Sequence, residues 1–198
     1  IISFDMVLMC ATSSAQMKWN QSYQTYINQY KDLAIEQMLR YRIPASITLA
    51  QGLFESRAGQ SDLARQGNNH FGIKCHNWTG PTQYHDDDAR GECFRVYQDA
   101  KESYEDHSRF LAKQPRYSRL FSLNTTDYKG WAHGLKSCGY ATNPQYANKL
   151  IQIIELYRLQ DYDKAKSFDR FMATHSGTDV PINAEGTLHP IHIFNDNY

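Results

Sequence analysis

With 198 residues and a hydrophobic fraction of 41%, the chain suits one compact domain with a true core plus tails. Its 21 basic and 21 acidic side chains balance, so no global field recruits nucleic acid or an anionic membrane surface. No stretch reaches the roughly 18 or more uninterrupted apolar residues of a transmembrane segment.

In chain order, residues 1–16 read as the remnant of a secretory signal peptide: a short apolar run, then small residues, with Ser14 and Ala15 near a cleavage point. Asp5 interrupts that run and no basic segment precedes it. Cys10 raises lipid anchoring, but Met9 before it is larger than such a site wants. From Gln21 to Arg42, Tyr26, Ile27, Tyr30, Leu33, Ala34 and Met38 fall on one face of an amphipathic helix.

The next stretch, Ile43 to Gly59, is the most apolar of the chain. Pro44 sits where a first helical turn tolerates it. Ile47, Ala50, Phe54 and Ala58 recur at helical spacing, and Leu49 and Leu53 widen the stripe around most of the circumference. Such a helix is normally buried. Thr48, Gln51 and Glu55 form its polar line, which ends at the stretch's only carboxylate, and Gly59 offers a stop signal. A carboxylate there must be exposed, paired or used.

Ser61-Asp62-Leu63-Ala64 starts a second, short helix. Gly67-Asn68-Asn69-His70-Phe71-Gly72-Ile73-Lys74 reads as a tight turn that delivers Phe71 and Lys74 to fixed places. Thr82–Asp88 and Glu92–Tyr97 flank Ala89-Arg90-Gly91, a hairpin turn. Asp99 caps a helix carrying Tyr104, His107, Phe110 and Leu111, and Tyr128, Trp131, Ala132 and Leu135 mark another. Asn143 and Pro144 open the last strong helix, along which Tyr146, Ala147, Leu150, Ile151, Ile154 and Tyr157 line up. After Gln160 the pattern decays into a polar tail.

Three of these blocks, in this order, resemble the bacterial peptidoglycan endo-β-N-acetylglucosaminidases, glycoside hydrolase family 73. They are Leu53-Phe54-Glu55-Ser56 with Gly59 and Ser61-Asp62-Leu63-Ala64, then Asn68-Asn69-His70-Phe71-Gly72-Ile73-Lys74, then Gly139-Tyr140-Ala141-Thr142-Asn143-Pro144-Gln145-Tyr146-Ala147. The resemblance runs from about Tyr26 to Leu159, most of the chain. It implies an α+β fold, mainly helical and lysozyme-like, with a small β-hairpin lobe beside the cleft. Domain limits then fall at residues 17–160 for the catalytic domain and 161–198 for a linker or tail. That tail resembles the lead-in to a wall-binding module.

Glycosidic cleavage needs a proton for the leaving oxygen and stabilisation of an oxocarbenium-like centre. Glu55 is the expected general acid, and burial should raise its pKa above the ordinary value of about 4.3. The resemblance assigns it the same role. For the second group it points to a carboxylate on the hairpin lobe, here Asp86 or Asp87, with register ambiguous by one residue. The substrate's acetamido group is the alternative nucleophile. Tyr140 matches a family tyrosine near the cleavage point. Phe71, Trp78, Tyr84, Tyr97 and Asn143 are the candidate sugar contacts, whereas Trp131 belongs to a core stripe, and Asn69 and Lys74 shape the turn.

In an exported protein Cys75 and Cys93 can pair, tying the hairpin to the Phe71 turn. His70, Cys75, His76, His85 and Cys93 match no regular zinc spacing, and Asp86-Asp87-Asp88 lacks the glycine and distal glutamate of a calcium loop. Hence no metal or cofactor is expected. The reading is a secreted, monomeric hydrolase of peptidoglycan glycan strands. Its rivals are a muramidase or lytic transglycosylase on the same fold, cleavage in the chitobiose core of glycoproteins, and a non-catalytic wall-binding module.

Overall fold

A computed structural model describes residues 17–86 and 90–166. Six α-helices, two short strands and two 3₁₀ turns make up the described chain. They are α1 (Gln21–Tyr41), α2 (Ala45–Glu55), α3 (Asp62–Gly67), β1 (Thr82–His85), β2 (Glu92–Arg95), α4 (Ala100–Lys113), α5 (Tyr128–Ser137) and α6 (Tyr146–Leu156). The 3₁₀ turns span Pro115–Ser122 and Leu159–Lys164.

Helix α2 is the centre. Every residue from Ala45 to Leu53 is buried, and α1, α5, α6 and the Leu159–Lys164 turn all pack on it. Each large apolar side chain so buried contributes about 1.5–3 kcal/mol. A fully buried helix must also satisfy its free terminal N–H groups inside the protein. Pro44, at the cap position, offers no side-chain acceptor. The acceptor comes from far along the chain: Asp163 Oδ1 takes the Ser46 N–H at 2.8 Å and Oδ2 takes the Ser46 hydroxyl at 2.6 Å. The packed domain therefore runs to Lys164, past the boundary expected at residue 160, with Leu159 and Asp163 buried. Residues 167–198 and 1–16 lie outside the described residues.

Gly52, in the middle of α2, is there for space. A β-carbon would stand 2.7 Å from the Tyr26 hydroxyl and 3.1 Å from that of Tyr104. Those hydroxyls lie 3.0 Å apart, and Tyr26 also meets His70 Nδ1 at 3.0 Å. This polar cluster joins α1, α4 and the Phe71 turn behind α2.

The helix ends at Glu55, four residues before the expected stop. Arg57, Ala58 and Gly59 then follow one another with φ of 52°, 57° and 77°. Left-handed backbone is uncommon outside glycine, and here hydrogen bonds hold it. Ala58 N–H reaches Leu53 O at 2.8 Å and Ser61 N–H reaches Ser56 O at 2.8 Å. Gly59 closes this turn with its N–H on Ser56 Oγ.

The strands pair antiparallel, with Thr82 opposite Arg95 and His85 opposite Glu92. They are shorter than the alternation predicts. Asn69 pins this lobe to the body: its Oδ1 accepts from Ile73 N–H, and its Nδ2 donates to Ile73 O and Arg95 O. Cys75 and Cys93 form the expected disulfide. Asp99 caps α4 by accepting from Glu102 N–H, while Glu102 accepts from the N–H of Gln98, the residue before the cap. Trp131 is fully buried, as its stripe implies.

Two predictions follow from these contacts. Removing the disulfide by reduction or by a Cys75→Ser/Cys93→Ser pair should cost about 3 kcal/mol in the chain-entropy account, read as a lowered thermal midpoint. The second concerns Asp163, whose carboxyl burial pushes up from 3.8 to about 7 against the pull of its Ser46 and Ala45 hydrogen bonds. A raised carboxyl is protonated on folding, so its contribution is full below the unfolded value and is lost as pH rises through about 7. Asp163→Asn keeps an acceptor without titrating. Its stability relative to the parent should therefore rise between pH 4 and 8, on the order of 4 kcal/mol for such a shift, measured by denaturant titration across that range.

Candidate active site

Glu55 opens onto a cleft of about 470 Å³ between the body and the hairpin lobe. One wall comes from the segment after α2, with Arg57, Ser61 and Asp62. The Phe71 turn and the hairpin lobe add Phe71, Lys74, His76 and His85 to the lining. Phe110, Arg116, Tyr117, Tyr140 and Ala141 complete it.

A row of rings leads away from the carboxyl. Tyr146 stacks on Tyr140 with centroids 5.7 Å apart, Tyr140 meets Tyr117 at 6.2 Å, and Tyr117 meets Phe110 at 5.9 Å. Phe54 packs edge-on to Tyr146 at 6.0 Å. Gln51, one turn before Glu55, donates its Nε2–H to the Tyr146 hydroxyl at 3.0 Å. The polar line of α2 thus orients Tyr146, and the Tyr146 hydroxyl hydrogen-bonds the Glu55 carboxyl.

Burial first, then the neighbouring Tyr140 phenol and the Glu55 charge, hold Tyr146 well above the ordinary phenol range. Tyr140 is held there by burial and then by the Glu55 charge, with the Arg116 guanidinium opposing. Both phenols therefore remain protonated donors beside a carboxyl group. Donors fixed in advance around a carboxylate or a developing charge stabilise it with little reorganisation.

The residues singled out in the sequence divide into groups. Glu55, Tyr140 and Phe71 come together at the cleft. Phe71, however, is only 3% exposed and lies flat on His107 at 3.9 Å, so most of its surface belongs to the core. Asp86, just past β1, accepts the Gly91 N–H at 2.8 Å and so fastens the hairpin turn. Asp87 lies outside the described residues.

Four further candidates point elsewhere. Tyr97 is buried, with its hydroxyl donating to Asp106 at 2.7 Å. The Trp78 indole N–H donates to Pro81 O, and its ring lies under the Arg95 guanidinium. Tyr84 is 72% exposed. Strand alternation puts it on the face opposite His85, which lines the cleft. Asn143 accepts the Gln145 N–H in the turn before α6.

Sequence reasoning left out Tyr146 as a site residue, together with Arg116, Tyr117, Phe110, His76 and His85. Tyr146 was within reach of the reading, since Gln51 and Glu55 share one helical line and Tyr146 stands in the third block. Arg116 and Tyr117 sit in a 3₁₀ turn that leaves no 3.6-residue period to read.

Residues 31–159 match the sequence family described as mannosyl-glycoprotein endo-beta-N-acetylglucosaminidase. The exo-glucosaminidase LytG of Bacillus subtilis is 35% identical over 136 residues, 63% of this chain and 48% of that protein. The peptidoglycan hydrolase FlgJ of Vibrio cholerae is 31% identical over 159 residues, 72% of this chain and 45% of that protein. The chain thus spans about half the length of the curated relatives it matches. Among solved structures, the catalytic domain of the autolysin Auto of Listeria monocytogenes superposes with a TM-score of 0.62. It is 30% identical, covering 75% of this chain and 91% of that one. The glycoside hydrolase domain of Salmonella typhimurium FlgJ gives 0.59 at 25% identity, covering 77% and 98%. With a helical body, a two-stranded lobe and a carboxyl in the cleft between them, the chain belongs to the glucosaminidase family of glycoside hydrolases, family 73, and has its lysozyme-like fold.

Proposed function

We propose that this chain hydrolyses the N-acetylglucosaminyl-β-1,4-N-acetylmuramyl bond of peptidoglycan, with Glu55 as the general acid. The observation that carries the proposal is the position of Glu55, at the end of a buried helix, inside the cleft and against the Tyr146 hydroxyl. Support for the substrate comes from relatives named peptidoglycan hydrolase and autolysin. Because that substrate lies in the cell envelope, the protein acts there, consistent with an exported chain.

In this mechanism Glu55 gives its proton to the glycosidic oxygen as the bond to the anomeric carbon breaks. The carboxylate left behind keeps the Tyr146 O–H as donor, so its charge is stabilised as it forms. Tyr140, next along the row, offers its hydroxyl to the sugar's acetamido group or to the developing charge. The anomeric centre is then captured by water or by the acetamido oxygen. For the water route the candidate base is a hairpin aspartate. Asp86 is engaged by the Gly91 N–H, which shifts that role towards Asp87.

Glu55→Gln keeps shape and hydrogen bonding but carries no transferable proton. Turnover of purified cell walls should fall about 10²–10⁴-fold, the usual contribution of general acid catalysis, with the thermal midpoint preserved. Near-parental lysis by a folded variant would remove Glu55 from the role. Reducing-end analysis of the muropeptides should show N-acetylglucosamine termini, whereas muramyl or anhydromuramyl termini would establish one of the rival cleavages.

The second group is separated by stereochemistry. Inversion at the anomeric carbon, seen by early-time NMR, goes with a damaging Asp87→Asn change and a mild Asp86→Asn change. Retention goes with active aspartate variants and Tyr140→Phe as the most damaging change after Glu55→Gln. Inversion with Asp86, Asp87, Asp88 and Glu92 all dispensable would rule out the hairpin base.

A further inference from the structure

The proposed chemistry uses Glu55, Tyr146 and Tyr140, yet the ring row continues beyond them to a cation that it leaves unused. Arg116 stands at the start of the Pro115–Ser122 turn, exposed, on the rim of the cleft. Its guanidinium lies over the Tyr117 ring at 4.6 Å and within 5.8 Å of the Phe110 centroid. Stacking of this kind fixes the plane of the group and leaves its edge N–H donors outward.

Arg116 meets no carboxylate among the described residues. Other arginines of the domain do: Arg40 and Arg109 pair with Glu105, Arg95 with Asp106 and Arg158 with Asp161. Nor is Arg116 remote from the reacting centre, because its charge acts on the Tyr140 hydroxyl, which also feels the charge of Glu55. A flat guanidinium, held by rings at the edge of a sugar cleft and with no carboxylate partner among the described residues, is built to take a planar anion through two parallel hydrogen bonds.

We infer that Arg116 is a specificity-determining residue that binds a carboxylate carried by the muramyl side of the glycan. The inference rests on the peptidoglycan reading above. In that polymer carboxylates stand on the stem peptide or, once the peptide is removed, on the lactyl ether of the sugar itself. Both lie next to the bond to be cut. Neutral N-acetylglucosamine polymers have no such group, so this contact distinguishes a wall strand from a chitin-like chain.

The test is a binding cycle in the Glu55→Gln background, where substrate persists, read by co-sedimentation with insoluble walls. Two variants, Glu55→Gln alone and Glu55→Gln/Arg116→Gln, meet walls with native carboxylates and walls whose carboxylates have been converted to amides by carbodiimide and methylamine. Arg116→Gln should weaken binding to native walls roughly tenfold, the scale of a hydrogen-bonded contact to a charged group. It should change nothing on amidated walls, and amidation alone should weaken the Arg116 protein equally. Arg116→Lys, which keeps the charge without the fork, should fall between. Repeating the cycle on glycan stripped of peptide assigns the source: a persisting effect identifies the lactyl carboxylate, and a vanished one the stem peptide.

Equal loss on native and amidated walls, or no loss with an unchanged melting temperature, would overturn the inference while leaving the wall reading intact. If the parent neither lyses walls nor sediments with them after Glu55→Gln, the peptidoglycan reading itself fails.

Discussion

Burial of α2 on every side is the constraint from which the rest of the structure follows. A helix with no solvent-facing stripe cannot send its terminal polar groups to water, so both ends need partners within the protein. At the N-terminus, Asp163 arrives from 117 residues away to accept from Ser46. At the C-terminus the chain exits through a left-handed turn whose hydrogen bonds run back to Leu53 and Ser56. Glu55 is the last residue before that turn. The physics that ends the central helix therefore also holds the carboxyl at the mouth of the cleft, with its backbone fixed on two sides.

The hairpin lobe is too small to be stable alone, since two strands without further packing are marginal in water. Three ties hold it to the body. The disulfide links Cys75 to β2, Asn69 bonds backbone on both segments, and Lys74 pairs with Glu92 at 2.8 Å. These ties converge on the segment between α3 and β1, the one that also supplies Phe71, Ile73 and Lys74 to the cleft. The cleft's geometry is consequently set by the same residues that fasten its upper wall.

What the sequence made legible was the periodic part. The apolar circumference of Ile43–Ala58 identified the central helix, and the stripes of α1, α4, α5 and α6 identified its neighbours, because burial of a regular element imposes a regular pattern. Glu55 was legible for the same reason, as the only carboxylate on an otherwise apolar helix. The disulfide and the hairpin followed from cysteine placement and turn residues. Contacts made between elements were another matter. Asp163 looks like one more polar residue of a tail, and its cap on Ser46 leaves no local trace. Tyr97 and Trp78 have the ring chemistry of sugar platforms, but their polar atoms are taken by Asp106 and by Pro81 O. Composition and spacing cannot tell a free ring from one whose hydroxyl is already engaged.

Tyrosine chemistry in this fold is sorted by what lies behind each ring. Tyr26 and Tyr104 face each other and His70 behind α2, where burial pushes both phenols up and lowers the His70 imidazole to about 4. That cluster stays neutral and fills the space Gly52 leaves open, so it serves packing and not proton exchange. Tyr146 is buried and Tyr140 half-buried, but the charge they meet is a carboxyl with access to solvent. The same residue type thus supplies a neutral hydrogen-bonded wedge on one side of α2 and a pair of fixed donors on the other. Which role each takes is decided by whether its hydroxyl meets another uncharged group or the carboxyl at the helix end. The Tyr146 O–H bonds more strongly to the carboxylate that proton transfer leaves than to the acid before it, so the arrangement stabilises the state that bond cleavage creates more than the state that precedes it.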